Sequence, residues 1–168
     1  MAQDGHREHG AHQHGHASMN IAISGDELQV ELLTPAFNLL GFEHKPSTQK
    51  QHQLLDAAVQ QLQNLARLIR PEAAAQCTQE HIALHSELLE EEHHKKEHQH
   101  DEEEATGHSD FEVHVHFHCQ KPGKLTGIDT AGLFKAFLSM EELEVQWISD
   151  QKQSSVELSP KNTRINLQ

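Results

Sequence analysis

Apolar and polar residues alternate along several short stretches of the chain, which is the pattern of half-buried β-strands. The alternation is first seen over 17–23 and resumes over 28–32 after a Ser-Gly-Asp turn, so these two segments are predicted to form a hairpin. The clearest strand is predicted over 111–119, where four apolar residues alternate with one glutamate and three histidines. The polar side of that strand carries Glu112, His114, His116 and His118.

A helical period replaces the alternation over 48–70, where leucine, valine and isoleucine recur at helical spacing until Pro71. A shorter amphipathic helix is predicted over 129–138. The segment 76–89 fits either a strand or a short helix, and the alternation of its apolar residues favours a strand. Two further strands are predicted over 141–148 and 155–158, with a last edge strand at 164–167.

This order of elements predicts an α+β fold in which hairpins form an antiparallel β-sheet and two helices pack on it. We expect a flexible N-terminus over 1–11 and one domain over 12–168. The order is also compatible with an internally duplicated ββα unit, with halves at 12–75 and 76–168. A low-complexity loop over 90–110 interrupts the domain and is predicted to be disordered without ligand, because it has no large apolar side chain.

The composition narrows the range of partners. Hydrophobic residues make up 35% of the 168 residues, 17 residues are histidine, and the formal net charge is -13. A chain this acidic lacks the clustered Lys and Arg that bind nucleic acid or an anionic membrane surface. No apolar run approaches the roughly 18–20 residues that span a bilayer, so no membrane insertion is expected. The expected partner is a cation.

The two cysteines, Cys77 and Cys119, have no zinc-finger spacing. Their even number favours a disulfide in an oxidising compartment, and two separate buried thiols are the alternative. If 76–89 pairs with 111–119 through the cysteines, equal parity places His81 and His85 on the apolar side of the sheet. A β-bulge, a different register or a helical segment would each remove this conflict.

Neutral imidazole is a ligand for Zn²⁺, and also for Cu²⁺ and Ni²⁺. Side chains two residues apart on a strand lie about 7 Å apart, so two of the three histidines on 111–119 can share one ion but all three cannot. We therefore expect ligands from a second segment. The N-terminal histidines precede the first strand with the parity of its polar side, and two histidines from each strand would form a four-histidine site if the strands were neighbours. These N-terminal residues are His12, His14 and His16.

The acidic loop contains a third group of histidines, which are predicted to bind zinc more weakly because binding would have to order the loop. Its carboxylates add electrostatic attraction for cations. These accessory ligands are His93, His94, His98, His100 and His108.

Several segments carry a family resemblance: HGHASMNIAI, NLLGFEH, FEVHVHFHC and the closing VELSPKNTRINL. Over about 12–167 the chain resembles the ZrgA (zinc-regulated protein A) family, which are periplasmic zinc-binding proteins of Gram-negative bacteria associated with ABC-type zinc uptake. The resemblance implies a periplasmic location, a removed signal peptide and a role in zinc capture. It also marks Glu43 and His44, in the matched GFEH, as ligands or as residues that support a site.

The first residues show no positive segment followed by an apolar stretch, so the chain is expected to be either cytosolic or a mature form. The resemblance favours the mature form in the periplasm, and a disulfide between Cys77 and Cys119 would suit that oxidising compartment. We expect a non-enzymatic protein that captures Zn²⁺ for an ABC-type importer or its accessory proteins. The alternatives are a zinc buffer or metallochaperone not coupled to a transporter, and a zinc hydrolase with Glu43 or Glu112 as general base.

Overall fold

The computed structural model describes residues 13–89 and 108–168. Nine strands and three helices are present in these two segments. The strands are β1 (His16–Ser24), β2 (Glu27–Pro35), β3 (Arg70–Pro71), β4 (Cys77–His85), β5 (Asp110–Cys119), β6 (Gly127–Asp129), β7 (Glu142–Ser149), β8 (Gln153–Leu158) and β9 (Arg164–Asn166). The helices are α1 (Ala36–Leu40), α2 (Gln49–Gln63) and α3 (Ala131–Ala136).

The large sheet has six strands in the order β4-β5-β2-β1-β7-β8. All neighbouring strands in it run antiparallel except β1 and β7, which are parallel. The α+β class is confirmed, but the expectation of a purely antiparallel sheet is wrong. After β5 the chain forms β6 and α3 and then crosses to the far side of β1, where it forms β7. A crossover connection of this kind allows β7 to run parallel to β1. A small antiparallel sheet, β3-β6-β9, contains the predicted C-terminal edge strand.

The helices differ from the prediction in number and length. The segment after β2 forms the short helix α1, which ends at Gly41 with a φ of 78°, so there are three helices and not two. Helix α2 begins with a capping box between Thr48 and Gln51. It ends at Gln63, and a 3₁₀ turn then continues the apolar spacing that had predicted a helix to residue 70. The structure does not confirm a duplicated ββα unit.

One face of the large sheet, together with the helices, forms the hydrophobic core. Side chains from β1, β2, β5 and β7 are almost fully buried there, and α2 contributes Leu55, Ala58 and Leu62. Within the two described segments, none of the helices has the length and hydropathy needed to span a membrane. The opposite face of the sheet is polar, and the histidines of β5 lie on it, half-buried.

Strands β4 and β5 are joined by the Cys77–Cys119 disulfide, which confirms that prediction. A register shift between Gln79 and His81 interrupts their pairing. Beyond this bulge His81 lies opposite His116 and His85 lies opposite Glu112, so both belong to the polar face. The parity conflict seen in the sequence is therefore resolved by a β-bulge.

Two ion pairs join the strands and flanking residues of the small sheet. Arg70 donates to Asp129 at 2.9 Å, and Arg164 donates to Glu72 at 2.7 Å. A hydrogen bond from the backbone N–H of Ala131 lowers the pKa of Asp129, and the Arg70 guanidinium adds to this. Because the folded-state pKa is lowered, the stability that ionised Asp129 contributes is present above its ordinary pKa and is lost as the pH falls through the lowered value.

The predicted flexible segment 1–11 and most of the predicted loop lie outside the described residues. The last three loop residues, 108–110, are described. The carbonyl of Ser109 accepts a hydrogen bond from the Ala36 N–H at 2.8 Å, and Asp110 opens β5 opposite Pro35. The prediction of disorder is therefore wrong for these three residues, because backbone pairing with the end of β2 holds them.

Candidate functional site

Three potential metal ligands from distant parts of the sequence meet at one end of the large sheet. His14 precedes β1, Glu43 follows α1, and His108 precedes β5. The His14 Nε2 atom lies 3.2 Å from Glu43 Oε1, and the His108 Nδ1 atom lies 2.5 Å from Glu43 Oε2. We refer to these three residues as the Glu43 cluster.

Glu43 is the buried member of this cluster, with 8% of its side chain exposed, whereas about half of each histidine side chain is exposed. Its Oε1 atom is buried and, among the described residues, accepts no hydrogen bond. Leaving a buried carboxylate oxygen without a hydrogen bond is costly in a folded protein. The left-handed conformation of Gly41 turns the chain sharply after α1 and brings Glu43 to this position.

His14 is positioned by contacts with α1. Its ring stacks on Phe37 with ring centroids 4.0 Å apart. The buried Asn38 accepts a hydrogen bond from the Gly15 N–H at 2.7 Å and donates one to the His16 carbonyl at 2.8 Å. Gly15 has a φ of 88°, a conformation that favours glycine, and it turns the chain between His14 and β1. The two sequence segments HGH and FNLLGFEH are thus joined by hydrogen bonds.

Two imidazole nitrogens and one carboxylate are a typical ligand set for Zn²⁺. In a tetrahedral zinc site, bonds of about 2.0–2.2 Å place neighbouring ligand atoms about 3.4 Å apart. The three donor atoms of the Glu43 cluster lie within 4.8 Å of one another, so small rotations of the side chains are sufficient to bring them around one ion. Three protein ligands leave a fourth position for water or another donor.

The four-histidine site expected from adjacent strands does not form, because β2 lies between β1 and β5. His16 instead contacts Glu142 at 3.0 Å, and the exposed His44 bonds to the Lys45 carbonyl rather than joining Glu43. His12, His93, His94, His98 and His100 lie outside the described residues.

The histidines of β5 lie apart from the Glu43 cluster. His114 bonds to Glu112 at 2.6 Å and forms a second group with Glu31. His118 lies 3.6 Å from Asp26 and from Glu27, at the opposite end of β5. His116 faces His81 edge-on, with ring centroids 6.1 Å apart.

Two features of the Glu43 cluster differ from the sequence-based expectation. His108 was assigned to the weaker loop group, yet the structure places it against Glu43. Asn38, which positions His14, was not singled out at all. Its occurrence in the apolar stretch 36–42 was the available signal, because a polar residue in such a stretch needs partners when buried.

Replacing Asn38 with alanine is expected to lower the free energy of unfolding by about 1–3 kcal/mol, because buried groups, including the Gly15 N–H, lose their hydrogen-bond partners. Urea denaturation followed by the fluorescence of Trp147 would measure this change. The matched control is Asn20→Ala on the exposed face of β1, where we expect less than about 0.5 kcal/mol. Equal losses in the two variants would contradict the role assigned to Asn38.

The chain matches the model of a known protein family. A family model described as ZrgA family zinc uptake protein matches residues 11–167. No protein of curated function matches the chain. The family match covers all three members of the Glu43 cluster and the segments that hold them.

Proposed function

This chain belongs to the ZrgA family of zinc uptake proteins, and we propose that it captures Zn²⁺ in the periplasm and delivers it to an ABC-type zinc importer. The Glu43 cluster is the primary site in this proposal. Zinc is the cargo of the protein, so the site has to bind the ion and also release it.

The observation that carries the proposal is the buried Oε1 atom of Glu43, which accepts no hydrogen bond among the described residues and lies 3.2 Å from His14 Nε2, with His108 at the other carboxylate oxygen. A buried carboxylate of this kind is stabilised by a cation. The imidazole side chains of His14 and His108 are half-exposed, so an ion can reach them from solvent. Zn²⁺ accepts this combination of nitrogen and oxygen ligands, and the family is a zinc uptake family.

The charge of the chain supports capture of a cation. The segment 90–107 is rich in acidic residues and histidine, and it directly precedes His108 in the sequence. A net charge of -13 raises the local concentration of cations and accelerates their encounter with the protein. In this proposal the loop histidines other than His108 are weaker, accessory ligands, as are the remaining predicted ligands His12, His16, His44, His116 and His118.

Two features support the periplasm and the delivery step. The Cys77–Cys119 disulfide is typical of proteins in oxidising compartments, of which the bacterial periplasm is one. A site with three protein ligands and an open fourth position suits delivery, because an importer component can approach and add a ligand before the ion leaves. Transfer of zinc from the loaded protein to the purified importer's binding component, faster than zinc dissociates into a chelator, tests the delivery step. Transfer at the dissociation rate would indicate a buffer.

Zinc binding to the Glu43 cluster is expected to weaken at least about tenfold per pH unit below about pH 6, because protons compete with zinc for two imidazole nitrogens. Calorimetric titrations with Zn²⁺ at pH 7.5, 6.5 and 5.5, in buffers of different ionisation enthalpy, would measure both the affinity and the protons released. An affinity that does not change over this range would contradict histidine ligation and indicate carboxylates alone.

A further inference from the structure

The polar face of the large sheet contains a second group of metal-ligating side chains, formed by Glu31 on β2 with Glu112 and His114 on β5. Glu31 is the direct cross-strand partner of His114. The His114 Nε2 atom lies 2.6 Å from Glu112 Oε1. One ligand atom from each residue lies within 4.8 Å of the others, and all three side chains are half-buried.

The surroundings of this group favour a cation. The six strands of the large sheet contain several Asp and Glu residues but no Lys or Arg. On the same face Glu144 lies directly opposite Glu157, and like charges in such a pair are destabilising. The carboxylates of these strands therefore have histidine, but no Lys or Arg, beside them within the sheet, and a bound divalent ion would offset their repulsion.

The group also borders a depression in the surface of the sheet. This depression has a volume of about 190 Å³, and its lining includes Glu31, His114, His116 and Gln29. Two of the three residues, Glu31 and His114, thus line a space that solvent and small ions can enter. An ordinary surface ion pair between Glu112 and His114 would not by itself account for the position of Glu31 beside them or for the neighbouring depression.

We infer that Glu31, Glu112 and His114 form a second site for a divalent cation of the zinc type. Two carboxylates and one imidazole are harder ligands than those of the Glu43 cluster. Neither carboxylate is buried as Glu43 is, so binding is weaker and exchange is faster. The two sites are separate, because His108 precedes β5, whereas His114 lies four residues beyond the first residue of that strand, about 13 Å along it. The inference does not depend on the proposed role of the Glu43 cluster.

The test is a titration of the full chain with ZnCl₂ alone, followed by NMR of the imidazole ring nitrogens. We expect the His114 ring nitrogens to shift after those of His14 and His108, at higher zinc concentration. In the double variant E31Q/E112Q the zinc concentration needed for the His114 shift should rise at least about tenfold, with the His14 and His108 responses unchanged.

The variant E144Q is the matched control, because it removes a carboxylate from the same face without touching the group. It should leave the His114 response within about twofold of wild type, after correction for one lost charge. Two results would overturn the inference. One is a His114 ring that does not respond at saturating zinc, and the other is an E31Q/E112Q response equal to that of E144Q.

Discussion

Replacing His14 and His108 together with alanine is expected to weaken the tightest zinc site at least about 100-fold, while the protein stays folded. Both imidazoles contact Glu43, so their loss removes two of the three ligands and leaves a single carboxylate. Changes even to residues outside the ligand shell cost metal sites about 10–100-fold in affinity, and direct ligands cost more. Competition with a zinc chelator of known affinity would measure the change.

The matched control is the double variant H16A/H44A. His16 lies two residues after His14 and His44 directly follows Glu43, yet they contact Glu142 and the Lys45 carbonyl and not the Glu43 cluster. We expect their replacement to change the tightest affinity less than about threefold. If H16A/H44A lost as much affinity as H14A/H108A, the site would have a different set of ligands from the one proposed.

Removing the disulfide is expected to lower the free energy of unfolding by about 2–4 kcal/mol, because Cys77 and Cys119 close a loop with a sequence separation of 42. The variant C77A/C119A, unfolded in guanidinium chloride and followed by Trp147 fluorescence, would measure this loss. Alanine is preferable to serine because Cys119 is 1% exposed and a buried hydroxyl would add its own cost.

Zinc affinity provides the internal control for this variant. The disulfide joins the end of β5 that is far from His108, so the tightest site should keep its affinity within about threefold. Unchanged stability would contradict the structural role of the disulfide. A large loss of zinc affinity in folded protein would show that the two ends of β5 are coupled.

The sequence predicted the positions of the main strands well, but it predicted their order and pairing in the sheet less well. Alternation located β1, β2 and β5 because each buries only one face, and the period of two is then imposed on the side chains. Neither alternation nor spacing determines which strands are neighbours. The insertion of β2 between β1 and β5, which rules out the four-histidine site, depends on long-range pairing.

The candidate site was predictable in part. Glu43 and His14 were among the expected ligands, Glu43 through the family resemblance and His14 through the N-terminal histidine array. His108 was placed with the loop because its local sequence is polar. The hydrogen bond from the Ala36 N–H to the Ser109 carbonyl and the pairing of Asp110 with Pro35 show that this end of the loop is held. The β-bulge between Gln79 and His81 was one of three ways to remove the parity conflict of His81 and His85. The sequence could not choose among them, because one extra residue in a strand leaves no signature in the composition.

The central claim is that the Glu43 cluster, and not the acidic loop, holds the tightest zinc ion. It is tested most directly by a calorimetric zinc titration of the variant H93Q/H94Q/H98Q/H100Q, with and without E43Q. We predict that the loop variant keeps one site with the wild-type affinity and that adding E43Q weakens this site at least about 100-fold. Loss of tight binding in the loop variant alone, or tight binding that survives E43Q, would contradict the account.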